Sequence, residues 1–192
     1  MEENKNQPRH KVDIREMTID DETTLRQICD RCEDALAGCG ERISDQEVHD
    51  IVRKKVLPPE GKSEKYHAKL ITFDGEPAGF MTYYEGYPFE RTVWIGSFYL
   101  VPEVRGQSLG TQMMVMFKQN MINLGYMQFV AQLHRMNLRG QDFFRKNQFV
   151  LDQRSIDRDF LLYFCTYRSK SEKALSFIIF APLQGCGNNL FR

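Results

Sequence analysis

The sequence has no run of about 18 or more apolar residues, so no segment reads as a membrane-spanning helix. It has no charge surplus either: 26 Lys and Arg balance 26 Asp and Glu. A formal net charge of zero gives no bulk attraction to nucleic acid or to an anionic membrane, and neither is expected as a partner. Cysteine is sparse. Five residues, at positions 29, 32, 39, 165 and 186, are an odd number at irregular spacing. That argues against a disulfide framework and for a reducing compartment, so a cytoplasmic location is expected. Met1 to Val12 holds no apolar core and does not read as a secretory leader. Residues 101–111 carry neither the Gly-Lys-Ser/Thr of a Walker loop nor the Gly-x-Gly-x-x-Gly of a dinucleotide fold. Cys29-x-x-Cys32 has no second cysteine pair at zinc-finger spacing, and both residues fall on an apolar helix face, so no metal site is expected.

What is present suits one domain. At 192 residues, 42% hydrophobic and 27% charged, the chain has enough apolar material for a single core. The expected division is a disordered tail over 1–11, a domain over 12–167 and an extension of unknown role over 168–192, with one apolar run from Phe177 to Ala181. Val12 to Met17 reads as a strand. Thr18 with Asp21 opens a helix whose Leu25, Ile28, Cys29, Cys32 and Leu36 share a face. Ser44 with Glu47 opens a second helix, ended by Pro58 and Pro59. Tyr66 to Phe73 and Pro77 to Tyr84 form a hairpin around Asp74-Gly75. Thr92 to Val101 is a strand, Leu109 to Leu124 a helix, Tyr126 to Leu133 a strand and Asn137 to Asn147 a short helix. Phe149 to Tyr167 holds two more strands. This order predicts a mixed α/β fold.

The chemistry concentrates after Thr92 to Val101. There Pro102 ends a strand, a loop carries Gly106, Ser108 and Gly110, and a helix begins near Leu109. The unpaired N–H groups of a helix's first turn attract anions, and small loop residues let a phosphate approach the backbone. Arg105 adds positive charge. A strand-to-helix connection without a ligand has the same composition, so the loop by itself leaves both readings open.

Arg105-Gly-Gln-Ser-Leu-Gly110 resembles the Arg/Gln-x-x-Gly-x-Gly/Ala motif of the GNAT superfamily of N-acetyltransferases, with Ser108 in place of the first motif glycine. Asn137-Leu-Arg-Gly-Gln-Asp-Phe-Phe-Arg-Lys-Asn-Gln-Phe149 is similar to that family's Asn-x-x-Ala-x-x-Phe-Tyr-x-x-x-Gly-Phe, with Gly140 for Ala, Phe144 for Tyr and Gln148 for Gly. The resemblance covers roughly residues 12–167. It implies a mostly antiparallel sheet of about seven strands flanked by four helices, with a splayed parallel fourth and fifth strand. It implies acetyl-CoA as acyl donor, its pantetheine held by main-chain groups of Phe98, Leu100 and Val101. The pyrophosphate would lie on Arg105, Gly106, Gln107, Ser108, Leu109, Gly110 and Thr111, with Asn137, Phe143 and Phe144 completing the cofactor site.

The mechanism so implied is direct attack of an amine on the thioester. An alkyl ammonium must first lose a proton. The family's fourth-strand Glu corresponds to Trp94, so the candidate bases are the loop carboxylates Glu85 and Glu90. With Phe144 unable to return a proton, Tyr99 or water is the candidate acid. The expected acceptor is a primary amine on a small molecule, and the expected assembly is a monomer or homodimer. The aromatic residues Tyr83, Tyr84, Tyr87 and Phe89 either line the acceptor site or pack within the hairpin. A CoA-binding module without turnover and a transferase of longer acyl chains are the rival readings.

Overall fold

The computed structural model describes residues 10–37, 42–156 and 158–167. Most of the expected N-terminal tail, the extension at 168–192, Cys39 and Cys186 lie outside them. The strands are β1 (Val12–Glu16), β2 (Tyr66–Phe73), β3 (Glu76–Glu85), β4 (Thr92–Leu100), β5 (Gln128–His134), β6 (Val150–Leu151) and β7 (Phe160–Thr166). The helices are α1 (Glu22–Arg31), α2 (Glu33–Ala37), α3 (Asp45–Val52), α4 (Leu109–Asn123) and α5 (Leu138–Lys146). One sheet of seven strands runs in the order β1-β2-β3-β4-β5-β7-β6. Its pairs are antiparallel except β4 with β5. A parallel pair needs a crossover, and α4 supplies it. The expected first helix breaks at Cys32, so five helices rather than four flank the sheet among the described residues.

The starts and turns follow local chemistry. The Thr18 N–H donates to Asp21 Oδ2 at 2.8 Å ahead of α1. Ser44 and Glu47 exchange the reciprocal bonds of a capping box at α3. Asp74 and Gly75 take φ of 52° and 90°, as a two-residue hairpin turn requires. The helix α3 stops at Val52, short of the prolines, because Lys54 turns left-handed at φ 55°. On α4, Leu109, Met113, Met114 and Met121 are buried, but Leu124 lies past the last turn and is 68% exposed. Met116 also faces outward. Cys29 and Cys32 are buried in the core, where desolvation pushes the Cys29 thiol up to about 12.

The register of β4 shapes the molecule. Thr82 pairs with Ser97 and Tyr83 with Ile95, leaving Gly96 as an extra residue in β4. Such a bulge bends the strand that carries it. On the other edge, β4 pairs with β5 only from Thr92 to Ile95, opposite Gln128 to Ala131. Beyond that point β4 stays with β3 while β5 stays with β7. The sheet therefore opens as a V whose apex sits at the bulge.

Candidate active site

The V is the mouth of a cleft of about 1090 Å³. Its cofactor-side rim is built from β4 and the loop that follows. The Val101 N–H donates to Ala78 O at 2.9 Å, toward β3. Main-chain groups alternate along a strand, so those of Phe98 and Leu100 point away from β3, into the opening. They have no strand partner there, and β4 presents them to the cleft.

After β4 the chain coils through two left-handed residues, Gly106 at φ 78° and Ser108 at φ 62°. The first main-chain bond of α4 runs from Gln112 N to Ser108 O at 3.0 Å. The N–H groups of Leu109, Gly110 and Thr111 thus have no acceptor within the helix and form the positive end of its dipole. Gly110 is closely approached: a Cβ there would lie 3.1 Å from the Phe143 ring, which would have to give by a few tenths of an ångström. Arg105 is not a bare charge. Its Nε donates to Leu100 O at 2.6 Å and its guanidinium pairs with Asp34 of α2 at 2.7 Å. Asp34 also meets Arg139 of α5 at 3.0 Å, and the Arg105 bond holds its carboxyl below the usual range. Arg105 therefore ties the loop to α2 and occupies the Leu100 carbonyl, one of the main-chain groups expected to serve the cofactor.

The second motif forms the facing wall. Asn137 caps α5, its side chain accepting from Gly140 N at 2.8 Å. Phe143 stacks on Phe98 across the opening, with ring centroids 5.3 Å apart. Phe144 is buried and sits edge-on to both Phe143 and Phe149. Gln148, where the motif has glycine, adopts φ 70°.

Of the residues expected at the cofactor, all but Val101 and Gln107 line the cleft. Val101 is fully buried against β3, and Gln107 turns back toward Glu103 O. Of the expected catalytic residues only Tyr99 lines it. Glu85 pairs with Val93 at the closed end of the V and accepts the Tyr126 hydroxyl bond at 2.7 Å, with His67 Nε2 at 3.1 Å. Glu90 is exposed in the loop before β4. Trp94 is buried and packs against Tyr87. Tyr83 and Tyr84 serve packing, Tyr83 stacking on His67 and the Tyr84 hydroxyl accepting from Lys62 N, whereas Phe89 is exposed. Among the lining residues not anticipated are Glu47, Tyr66, Thr82, Gly96 and Ser97. They come from α3 and three strands far apart in sequence, and no local motif joins them.

A family comparison decides what this arrangement is. The profile described as the acetyltransferase (GNAT) family matches residues 30–149. The chain belongs to the GNAT family. Its fold is shared by solved GNAT structures at low identity. An acetyltransferase from Thermus thermophilus superposes with a TM-score of 0.70 at 18% identity, covering 81% of this chain and 97% of that one. The PaiA N-acetyltransferase from Thermoplasma acidophilum, solved with coenzyme A, gives 0.63 at 17%, covering 82% and 99%. A Salmonella typhimurium acetyltransferase that modifies the N-terminal serine of ribosomal protein L7/L12 gives 0.66 at 18%, covering 82% and 95%. No curated protein sequence matches the chain. As a GNAT protein it is an N-acetyltransferase. Among its described residues, no helix is long and apolar enough to cross a membrane.

Proposed function

We propose that this GNAT acetyltransferase holds acetyl-CoA in the V between β4 and β5 and transfers the acetyl group to the primary amine of a small, cytoplasmic molecule. The observation that carries the reading is the open edge of β4, with the unpaired N–H groups of α4 at one end and the Gly96 bulge at the other. The residues present fit the cofactor. The N–H groups of Leu109, Gly110 and Thr111 suit a pyrophosphate. The main chain of Phe98 and the Leu100 N–H suit the amides of pantetheine, and the Phe98–Phe143 pair gives that arm an apolar wall. A pantetheine arm running along the open edge of β4 from α4 would bring the thioester toward the Gly96 bulge.

The neutral amine attacks the thioester carbonyl, a C–N bond forms and the C–S bond breaks. The acceptor ammonium loses one proton to solvent before attack and a second as the amide forms, keeping its third, and CoA leaves as the thiol once its sulfur gains a proton. Tyr99 lines the cleft and is the residue proposed to supply that proton; Phe144, buried among phenylalanines, packs. Thiolates are good leaving groups, so assistance here has a modest share in the rate.

Calorimetric titration with acetyl-CoA tests the reading. The wild type is expected to bind at micromolar strength. Gly110→Asp puts a Cβ against Phe143 and a negative charge at the helix N-terminus, and should weaken binding by about tenfold or more. Equal affinity of both proteins would place the cofactor elsewhere.

A further inference from the structure

The two faces of the V differ in chemistry. On one face, α4 packs onto Tyr83 through Phe117, and Phe143 of α5 stacks on Phe98. This is the side of the phosphate loop. Register defines the other face. Trp94 pairs with Tyr84 on β3 and with Val130 on β5, and Ser97 pairs with Thr82. Paired residues share a face, and alternate residues along a strand return to it. Ser97 of β4 and Gln132 and His134 of β5 therefore stand together on the face away from α4 and α5. All three line the cleft. Gln132 and His134 lie just past Ala131, the last β5 residue to pair with β4.

Both β5 side chains are half-buried. Among the described residues, neither the Gln132 amide nor His134 Nε2 has a hydrogen-bond partner, and both remain open to the cleft, unlike the enclosed Tyr66 hydroxyl. The His134 ring is held on two sides. Phe160, its partner on β7, meets it edge-on with centroids 5.4 Å apart. The Met136 N–H donates to Nδ1 at 3.2 Å. A main-chain N–H can only donate, so Nδ1 supplies the lone pair, and the neutral ring carries its proton on Nε2. Two residues apart on one face, Gln132 and His134 stand roughly 7 Å apart along the strand, within reach of one planar polar group.

Neither β4 nor β5 offers a Lys, Arg, Asp or Glu side chain. The charges lining the cleft from elsewhere are committed: Arg42 to Asp30 and Glu33, Arg105 and Arg139 to Asp34, Asp142 to Arg145, and Glu47 to the Ser44 cap. Lys146 stands on α5, at the other face. A carboxylate or a second ammonium brought to Gln132 and His134 would lose water without gaining an opposite charge, whereas a neutral amide would find a donor in His134 and a donor and acceptor in Gln132.

From this we infer that the acceptor is a primary amine bearing a neutral amide group, which Gln132 and His134 hold while the amine reaches the Gly96 bulge. The inference rests on the small-molecule reading above. A site built to hydrogen-bond its substrate rejects an analogue that lacks the bonding group, because its own polar groups are then left unpaired.

The test follows thiol release at saturating acetyl-CoA with 3-aminopropanamide and with 3-methylbutan-1-amine, which has the same shape and no amide, each rate referred to the neutral amine. The wild type is expected to prefer the amide by about tenfold or more in kcat/KM. Gln132→Leu should bring that ratio close to one, chiefly through KM for the amide. His134→Phe should lower it similarly, and His134→Gln, which keeps a donor, should restore part of it. All three variants are expected to bind acetyl-CoA as the wild type does, which shows them folded and sets both residues apart from the cofactor. Variants that slow both amines equally, or a wild type without preference, overturn the inference while the cofactor reading stands. Use of a short peptide with a free α-amine, with neither small amine acetylated, overturns the small-molecule reading and the inference with it. Absence of acetyl-CoA binding in the wild type removes the cofactor site on which both stand.

Discussion

Two departures from the family motifs have a common geometry. Ser108 and Gln148 stand where the motifs have glycine, and both adopt left-handed backbone, at φ 62° and 70°. A side chain there crowds the following carbonyl and costs about 1 kcal/mol, which glycine avoids. Ser108→Gly and Gln148→Gly are each expected to stabilise the protein by roughly 0.5–1 kcal/mol, read as a higher urea midpoint with unchanged slope. A fall in midpoint would mean that the side chains make contacts worth more than the strain. These positions were legible as motif mismatches in the sequence. Their strain was not, because φ is set by the strand and helix that the loop must join. Tyr66 was less legible still. It reads as one aromatic residue in an alternating strand, and only the fold shows that its hydroxyl is buried beside Thr82.

At the level of elements, capping residues announced the helices well. Thr18 with Asp21 and Ser44 with Glu47 were readable from spacing, and both act as expected. Asp21 does more than cap. Arg15 grips its carboxylate with two nitrogens, at 2.8 and 2.5 Å, and that pairing holds its pKa at about 2 against an ordinary 3.8. A depressed carboxylate adds stability that is present above its unfolded pKa and is lost as pH falls through the folded one. Wild-type stability should therefore drop between about pH 4 and pH 2 by about 1–2 kcal/mol more than that of Asp21→Asn, measured by urea unfolding across that range. Parallel slopes for the two proteins would show that Asp21 is not held below its ordinary value. The bulge in β4 belongs to the same scale and was illegible. Nothing in Ile95-Gly96-Ser97 distinguishes an extra residue from a regular one until β3 fixes the register on both sides. Glu85 lies at the end of β4 away from the phosphate loop, but its pairing with Val93 sets it outside the cleft, which no reading of the sequence alone supplies.

For the whole molecule, the order of elements was enough to predict a mixed sheet, and the two motifs together indicated the family. The rest of the cleft had no such signature, since the lining from α3, β2, β3 and β4 converges only in the folded chain. The cofactor should also act on the molecule as a whole. At about 100 times its Kd a ligand adds about 2.7 kcal/mol to stability, which for a chain of this size raises the melting temperature by roughly 5–10 °C. Acetyl-CoA is expected to do this, and CoA without the acetyl group nearly as much, because most of the contacts described lie along the phosphate and pantetheine. A thermal scan with each compound checks it, and a shift confined to acetyl-CoA would move the weight of binding to the acetyl end.

Four residue pairs, from Thr92 with Gln128 to Ile95 with Ala131, are all that join the two halves of the sheet through β4 and β5. The apex of the V is in effect the spine of a book, and the pantetheine amides would lie between its open covers like an added page. On deuterium labelling, the amides of Phe98 and Leu100 should exchange within seconds while those of Tyr99 and Val101, bonded to β3, persist. Filling the cleft should slow the first pair and leave the second unchanged, so that one strand reports, residue by residue, whether the book is closed.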